Sequence, residues 1–213
     1  LLEIVTEPDI FSAEEAFAYL TELKQLLRYL DVSDCNMEEG SLRAEANISI
    51  RPAGTQPFGT KTEVKNVASF SGIQKAIEFE IARQAKVLDE GGKVTQETRG
   101  WDADRGITFS QRAKESAHDY RYFPDPDLVP IVVDEAWEGR IRASLPELPQ
   151  ARRARFESGY GLSAYDAGVL TAEKEMADYY EAVVTQGCAP KQAANWISVE
   201  LQALLTEHRQ ELT

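Results

Sequence analysis

Residues 42–51 alternate apolar and polar side chains without a break, and this pattern constrains the fold more than any other stretch. The apolar side chains occupy every second position: Leu42, Ala44, Ala46, Ile48 and Ile50. The positions between them are all polar: Arg43, Glu45, Asn47, Ser49 and Arg51. Because successive side chains of a β-strand point to opposite faces, the pattern predicts a strand with one buried and one polar face.

A second strand is predicted at 60–65, after a loop tip at 52–57, and we expect the two strands to pair antiparallel. Acidic and basic side chains are interleaved along this hairpin and the loop before it. They are Glu38, Glu39, Glu45 and Glu63, with Arg43, Arg51, Lys61 and Lys65. Such a face suits a groove for a metal ion and a phosphorylated ligand, because Mg²⁺ takes oxygen ligands and shares them with substrate phosphates. The alternative is an acidic loop in solvent, with cross-strand ion pairs to Lys61 and Lys65.

Further helices and strands are predicted in the first 134 residues. Helices are expected at about 13–30, begun by a capping box from Ser12 to Glu15, and at about 69–90, capped near Ser71. The second helix has one face formed by Ile73, Ile77, Ile81, Gln84 and Leu88. Strands are expected at 1–6, 93–101, 107–112 and 128–133, with the middle two forming a hairpin.

Helix signals dominate after Asp134 and strand signals stop. Helices are predicted at about 134–144, 149–158, 163–170, 172–186 and 190–207, with Ser163 and Thr171 as N-caps. The fold class is therefore α+β. An antiparallel sheet with helices occupies residues 1–134, and an all-α domain occupies residues 135–213.

Three other groups of residues are candidates for binding. Glu97 and Arg99 share a strand face and could hold a metal and a phosphate, or form an exposed charge pair. Arg121 lies between tyrosines and could clamp a nucleotide, or belong to a rigid aromatic corner. The densest positive patch, Arg152, Arg153 and Arg155, could contact RNA phosphates or form a solvated helix face.

Composition limits the remaining classes of function. The net charge of −13 excludes a general nucleic-acid clamp, although a local patch can still bind RNA. The charge is uneven: residues 1–50 carry 3 basic and 11 acidic side chains, and residues 51–100 carry 8 and 6. Two distant cysteines favour a reduced, cytosolic environment, and no apolar run suits a signal peptide or a membrane span. Because the chain begins at Leu1 within a strand-like segment, we expect it to be part of a longer protein.

Five ordered motifs resemble one family. They are LLEIVTEPD, MEEGSLRAEANISIRP, FGTKTEVKN, GGKVTQETRGWD and DYRYFPDPDLVP. Together they resemble the B subunits of the tRNA-dependent amidotransferases known as GatCAB. The resemblance runs from Leu1 to about Pro130 and continues through LPELPQARRARF, YDAGVLT and NWI in the helical part.

The resemblance implies a cradle domain similar to glutamine synthetase, of which this chain holds the later part, and then a helical domain. It also implies an activity that uses ATP and Mg²⁺. Glu or Asp on misacylated tRNA-Gln or tRNA-Asn is phosphorylated and then amidated with ammonia from the A subunit. The partners are thus the A and C subunits and these tRNAs, in the bacterial cytoplasm or an organelle, with no membrane. We expect the chain alone to be inactive, and the alternative function is a non-catalytic fragment that binds tRNA or a partner.

The resemblance also implies roles for individual residues. Glu38 or Glu39 and Glu63 are expected to bind Mg²⁺, and Lys65 and Arg99 to lie near the ATP phosphates, where they take part in catalysis with Glu63. Arg43 and Arg121 are further candidates for contact with the nucleotide. Two motifs depart from the family pattern: Ala44-Glu45 replaces Cys-Asp, and Ala68 replaces an asparagine. The role of Glu45 is therefore left open.

Overall fold

The computed structural model describes residues 2–113, 126–210 and 212. Contacts within the chain divide it into two compact units, and neither unit is one continuous stretch. The sheet unit takes in Leu1–Glu22 and Asn36–Pro130, and the helical unit takes in Leu23–Cys35 and Ile131–Thr213. The sequence prediction divided the chain only once, after residue 134, and did not assign Leu23–Cys35 to the helical part.

Helix α1 spans Ala13–Tyr29 and contributes residues to both units. The hydroxyl of Ser12 accepts a hydrogen bond from the backbone N–H of Glu15 at 3.1 Å. The Glu15 carboxylate in turn accepts from the backbone N–H of Phe11 at 2.6 Å. These bonds satisfy two backbone amides at the start of the helix, so the predicted helix and its capping interaction are both confirmed.

In the described residues, one sheet contains strands β1 to β4 in that order. The strands are β1 (Ala46–Ile48), β2 (Thr62–Lys65), β3 (Glu97–Asp102) and β4 (Ile107–Ala113). Strands β1 and β2 pair antiparallel, with Asn47 opposite Glu63. Strands β3 and β4 also pair antiparallel, with Gly100 opposite Phe109. Both predicted hairpins are therefore confirmed.

Strands β2 and β3 run parallel, with Glu63 beside Thr98 and Lys65 beside Gly100. Parallel neighbours need a crossover connection, and helix α2 (Phe70–Asp89) lies in it. The α+β class is confirmed, but the sheet is mixed where an antiparallel one was expected. The cause is this crossover, which returns the chain to the sheet in its original direction.

Two of the predicted strands do not form. Residues 2–6 and 128–133 have no regular secondary structure. Their large apolar side chains are exposed, from 48% at Ile4 to 85% at Val129. A strand is stable only when a neighbour pairs with its backbone, and neither segment has such a neighbour within the described residues. Strand β1 is likewise shorter than the alternating run that predicts it.

The core of the sheet unit lies between α2 and the face of the sheet that carries Ile48 and Val64, here called the inner face. Its buried apolar members are Ala13, Ala16, Ile48, Val64, Val67, Ile73, Ala76 and Ile77. The predicted α2 face is confirmed at Ile73, Ile77 and Gln84, and the N-cap is Ser69 instead of Ser71. Ile81 and Leu88 were assigned wrongly, since they are 37% and 41% exposed. A carboxylate, Glu80, is fully buried instead.

Glu80 is held by hydrogen bonds from β2, β4 and its own helix α2, and by an ion pair with an arginine of β3. Thr62 of β2 donates to its carboxylate at 2.9 Å, and Thr108 of β4 donates to its other oxygen. Arg83 donates twice, at 2.8 Å each. The Arg99 Nε of β3 lies 3.0 Å from Glu80 Oε1. These five residues are called the Glu80 network, and they join three strands to α2.

Burial by itself would raise the pKa of Glu80. Hydrogen bonds from Arg83 and the two threonines outweigh burial and lower the pKa to about 2, so the group is ionised at neutral pH. Gln84 extends the network to the first strand, because its Nε2 donates to the carbonyl oxygen of Ile48 at 3.1 Å and to Thr62 at 2.9 Å. The inner face thus joins apolar packing to a buried polar network.

The helical unit confirms the predicted run of helices. They are α3 (Glu135–Ser144), α4 (Pro149–Tyr160), α5 (Ala164–Leu170), α6 (Lys174–Thr185), α7 (Pro190–Asn195) and α8 (Gln202–His208). A π-helical turn, Trp196–Leu201, joins the last two. Ser163 caps α5 as predicted, but Thr171 ends α5, and Glu173 is the N-cap of α6. No helix in the described part of the chain combines the length and apolar character that a membrane crossing needs.

The core of the helical unit centres on an aromatic cluster. The ring centroid of Phe156 lies 5.3 Å from that of Tyr160 and 5.0 Å from that of Tyr180. The segment Leu23–Cys35 joins this unit through the carbonyl oxygen of Thr171. That oxygen accepts from the Tyr29 hydroxyl at 2.7 Å and from the Gln25 amide at 2.6 Å. Both ends of these bonds are in the helical unit.

We predict that Glu80→Gln lowers the free energy of unfolding of the sheet unit by about 3 kcal/mol at pH 7, because it leaves Arg83 and Arg99 without a buried anionic partner. Urea denaturation measures the loss. Because the folded pKa of Glu80 lies below the ordinary value, wild-type stability should fall as the pH drops from about 4.5 towards 2, and the variant should lose the share of this dependence that Glu80 contributes. Glu78→Gln, at an exposed position of the same helix, is the control and should change little.

Candidate functional site

The face of the sheet opposite α2 is here called the outer face. It carries a polar cluster formed by Glu45, Glu63, Lys65 and Thr98. Along β2, Thr62 and Val64 are buried against the core, so Glu63 and Lys65 point the other way. Lys65 Nζ lies 2.8 Å from a Glu45 oxygen and 3.2 Å from Glu63 Oε1. The second oxygen of Glu63 accepts from the Thr98 hydroxyl at 3.1 Å.

Charged groups pair across the outer face, where one oxygen of Glu45 and one of Glu63 both lie within ion-pair distance of the Lys65 ammonium. The hydrogen bond to Glu45 raises the pKa of Lys65, with a further contribution from Glu63. The Glu63 side chain is 14% exposed and that of Glu45 is 43% exposed, so solvent reaches the cluster from one side.

The structure does not bring Arg99 together with Glu63 and Lys65. Arg99 is in register with Val64, and its side chain enters the Glu80 network on the inner face. Its Nη1 binds Glu97 and its Nη2 donates to the carbonyl oxygen of Thr108 at 3.0 Å. The predicted shared face of Glu97 and Arg99 is confirmed, but their charges pair with each other and with buried groups. This arrangement leaves Arg99 12% exposed.

Gly100 lets two side chains of β4 lie over the outer face beside Lys65. A Cβ atom at Gly100 would meet the Phe109 ring at 2.6 Å and the Gln111 amide at 2.5 Å. A larger residue at position 100 would therefore displace these two side chains from their observed positions. Phe109, which is 43% exposed, and Gln111 were not predicted from the sequence, although alternation along β4 would have placed Phe109 on this face.

The other predicted metal and nucleotide ligands are placed differently. Glu38 and Glu39 have exposed side chains in a turn, and the Asn36 side chain accepts from both of their backbone N–H groups. Within residues 2–113, 126–210 and 212, no three or more acidic, histidine or cysteine side chains are grouped closely enough to hold a metal ion. Arg43 is exposed, and Arg121 lies outside the described residues.

The predicted RNA patch in α4 lies largely within an ion-pair cluster. Arg152 is 8% exposed and lies 2.5 Å from Asp178 and 2.6 Å from Glu181, both in α6. Arg155 binds Glu181 at 2.6 Å and Glu147 at 2.5 Å. Hydrogen bonds from Arg155 and then Arg152 overcome burial and lower the pKa of Glu181 to about 2.

The third arginine of that patch, Arg153, is half-buried beside Gly168. The three arginines therefore do not form one open positive surface. The charges of Arg152 and Arg155 serve the packing of α4 against α6.

The sequence of this chain is similar to those of known proteins. The model of a family described as the GatB/GatE catalytic domain matches residues 1–138. The B subunit of the aspartyl/glutamyl-tRNA(Asn/Gln) amidotransferase of Carboxydothermus hydrogenoformans is 56% identical over 213 residues, which are all of this chain and 44% of that protein. The protein of the same name from Solidesulfovibrio magneticus is 60% identical over 201 residues, 94% of this chain and 42% of its own length. The chain thus spans less than half the length of these curated relatives.

We predict that Arg99→Lys lowers the free energy of unfolding by about 1–3 kcal/mol, because an ammonium cannot make the forked contacts to Glu97, Glu80 and Thr108 at once. Thermal and urea denaturation of the chain without ligand measure this loss. Arg105→Lys, at an exposed turn position, controls for the exchange of arginine for lysine. Equal stability of the two variants would contradict a structural role for Arg99.

Proposed function

The chain belongs to the family of GatB/GatE catalytic domains, and from this premise we propose that it forms part of a B subunit that activates carboxylates on misacylated tRNA. The relatives that match the whole chain are B subunits of tRNA-dependent amidotransferases. In the proposed reaction, the side-chain carboxylate of Glu on tRNA-Gln, or Asp on tRNA-Asn, attacks the γ-phosphorus of ATP, and ADP leaves. Ammonia then attacks the acyl carbon, and inorganic phosphate leaves.

The observation that carries this proposal is the position of the Lys65 ammonium between two carboxylates on a solvent-facing sheet. A positive charge is already accommodated there, so the oxygen donors suit a divalent cation as well. Mg²⁺ is commonly held by one or two carboxylates and shares the rest of its coordination with phosphates and water. The residues present therefore fit the ion that the family resemblance implies.

The residues proposed to bind Mg²⁺ and ATP have separate roles. Glu63, fixed by Thr98, supplies the main protein oxygen for Mg²⁺, and Glu38 or Glu39 adds a second from its exposed turn. Bound Mg²⁺ would neutralise charge that develops on the transferring phosphoryl group. Lys65 binds phosphate oxygens of ATP. Its ammonium acts there as a point charge that needs no fixed fork geometry.

Arg99 enters this proposal as a residue that holds β3 and β4 against α2. Its paired guanidinium on the inner face supports that role over contact with phosphate. Arg43, exposed near the start of the alternating run, is kept as the second basic group for the nucleotide. The A and C subunits and the misacylated tRNA are the proposed partners, and the cytoplasm is the proposed location.

A second function, binding of tRNA or a partner without catalysis, is favoured by the surface of the helical unit. Trp196 and Val199 are each 61% exposed on the π-helical turn, and such turns are frequent at functional sites. Binding of tRNA to this chain alone, measured against salt concentration, tests that function. Absence of binding at low salt would exclude a contact with RNA.

We predict that Glu63→Gln lowers ATP-dependent formation of Gln-tRNA-Gln at least about 100-fold, because it removes a charged oxygen where phosphoryl charge develops. The assay uses the full-length B subunit assembled with its A and C partners. Hydrolysis of glutamine by the A subunit should stay unchanged and serves as the control for assembly. Glu78→Gln is the matched carboxylate control. An unchanged rate for Glu63→Gln would show that the metal assignment is wrong.

A further inference from the structure

We propose that Phe109 and Gln111 of β4 form a platform for the adenine base of ATP on the outer face, two strands away from Lys65. The inference rests on the proposed function, since it assumes that the ATP phosphates lie beside Lys65. It adds two residues to that site: an aromatic ring that stacks on the base, and an amide that distinguishes adenine from guanine.

The strand register places the platform in one row with Lys65. Lys65 of β2 lies beside Gly100 of β3, and Gly100 lies opposite Phe109 of β4. Neighbouring strands are about 4.8 Å apart, so about 10 Å separates the backbone at Lys65 from the backbone at Phe109. A nucleotide carries its phosphates and its base on opposite sides of the ribose. The row offers a cation at one end and an aromatic ring at the other, which matches these two parts.

The middle of this row has no side chain of its own, because it is occupied by Gly100. The Phe109 ring and the Gln111 amide lie over that position, where a Cβ atom would meet the ring at 2.6 Å and the amide nitrogen at 2.5 Å. Phe109 is nevertheless 43% exposed. Bases of any sequence stack on accessible aromatic rings, because every base has a π-face. A planar base can therefore pack on Phe109 beside the Gln111 amide.

Gln111 reaches this place through an irregularity in the pairing of β3 with β4. Ser110 lies opposite Arg99. The preceding residue of β3, Thr98, lies opposite Arg112, so Gln111 is an extra residue in β4. Bulges of this kind are frequent next to active sites, where they redirect a side chain. The Gln111 side chain is exposed, so the donor and the acceptor of its amide are accessible to a ligand.

The chemistry of this amide favours adenine. One edge of adenine presents the N6 amino group and the N7 acceptor, and a glutamine amide can accept from the first while it donates to the second. Guanine presents two acceptors, O6 and N7, on the same edge, so the glutamine carbonyl oxygen would face another acceptor. Stacking on Phe109 is thus open to either base, and the preference for adenine depends on Gln111.

The test measures the binding of ATP and of tripolyphosphate, which has no base, by isothermal titration calorimetry. It uses the full-length B subunit in its complex with the A and C subunits, without tRNA. Phe109→Ala should weaken ATP binding about tenfold, because stacking on the base is lost, and should leave tripolyphosphate binding unchanged. Phe109→Tyr keeps the ring and should stay near the wild type. Phe11→Ala, which removes a 77% exposed phenylalanine of the same unit, is the matched control and should change neither affinity.

A second measurement compares ATP with GTP. Gln111→Leu should reduce the preference of the protein for ATP over GTP about fivefold, because the hydrogen bonds to adenine are lost. Tripolyphosphate binding should not change. An equal preference in Gln111→Leu and the wild type would contradict the role of the amide.

The remaining outcomes separate the platform from the proposed function. If Phe109→Ala binds ATP as the wild type does, while Glu63→Gln still lowers the ATP-dependent rate, the platform is wrong and the proposed function stands. Equal losses of ATP and tripolyphosphate affinity in Phe109→Ala would also overturn the platform, since the ring would then support the phosphate site. If Phe109→Ala instead raises only the KM for misacylated tRNA, the ring contacts tRNA and the assignment to ATP is wrong. If the wild type binds neither ATP nor tripolyphosphate, the proposed function fails together with the platform.

Discussion

A single buried carboxylate holds the sheet unit together. Glu80 joins β2, β3 and β4 to α2 through two threonine hydroxyls and two guanidinium groups. In a low-dielectric interior such a charge is tolerated only when it is surrounded by donors, so each of these contacts depends on the others. The register that places Glu63 beside Thr98, and therefore the outer face, depends on the docking that this carboxylate secures.

The two faces of the same short strands hold charged groups in different environments. On the inner face charged groups are enclosed, saturated with hydrogen bonds and fixed. On the outer face one ammonium is shared by two carboxylates in contact with water. The enclosed contacts of the inner face therefore fix the strands whose opposite side carries the outer-face groups.

The sequence predicted the helices and strands better than it predicted which side chains contact one another. The alternation at 42–51 and the helix signals after Asp134 located most of the structure, because both depend on local periodicity. Glu80 was missed because it and Ile81 are three and four residues after Ile77, and both positions suit the same helix face. Periodicity alone predicts that the isoleucine is buried. The carboxylate is buried instead, because threonine hydroxyls of β2 and β4, distant in sequence, donate hydrogen bonds to it. The family resemblance grouped Arg99 with Lys65 near the phosphates. The strand register that puts their side chains on opposite faces is a long-range property, which motifs along the chain do not reveal.

The bonds from Gln25 and Tyr29 to Thr171 have a consequence for how this protein can be divided. The helical unit includes a segment that precedes most of the sheet unit in the chain, and that segment supplies two donors to one carbonyl oxygen. A gene fragment that begins after Pro130 would omit both donors and expose the surface that Tyr29 covers. Neither unit can therefore be moved into another protein as one continuous segment. Recombination between relatives should keep Leu23–Cys35 together with Ile131–Thr213.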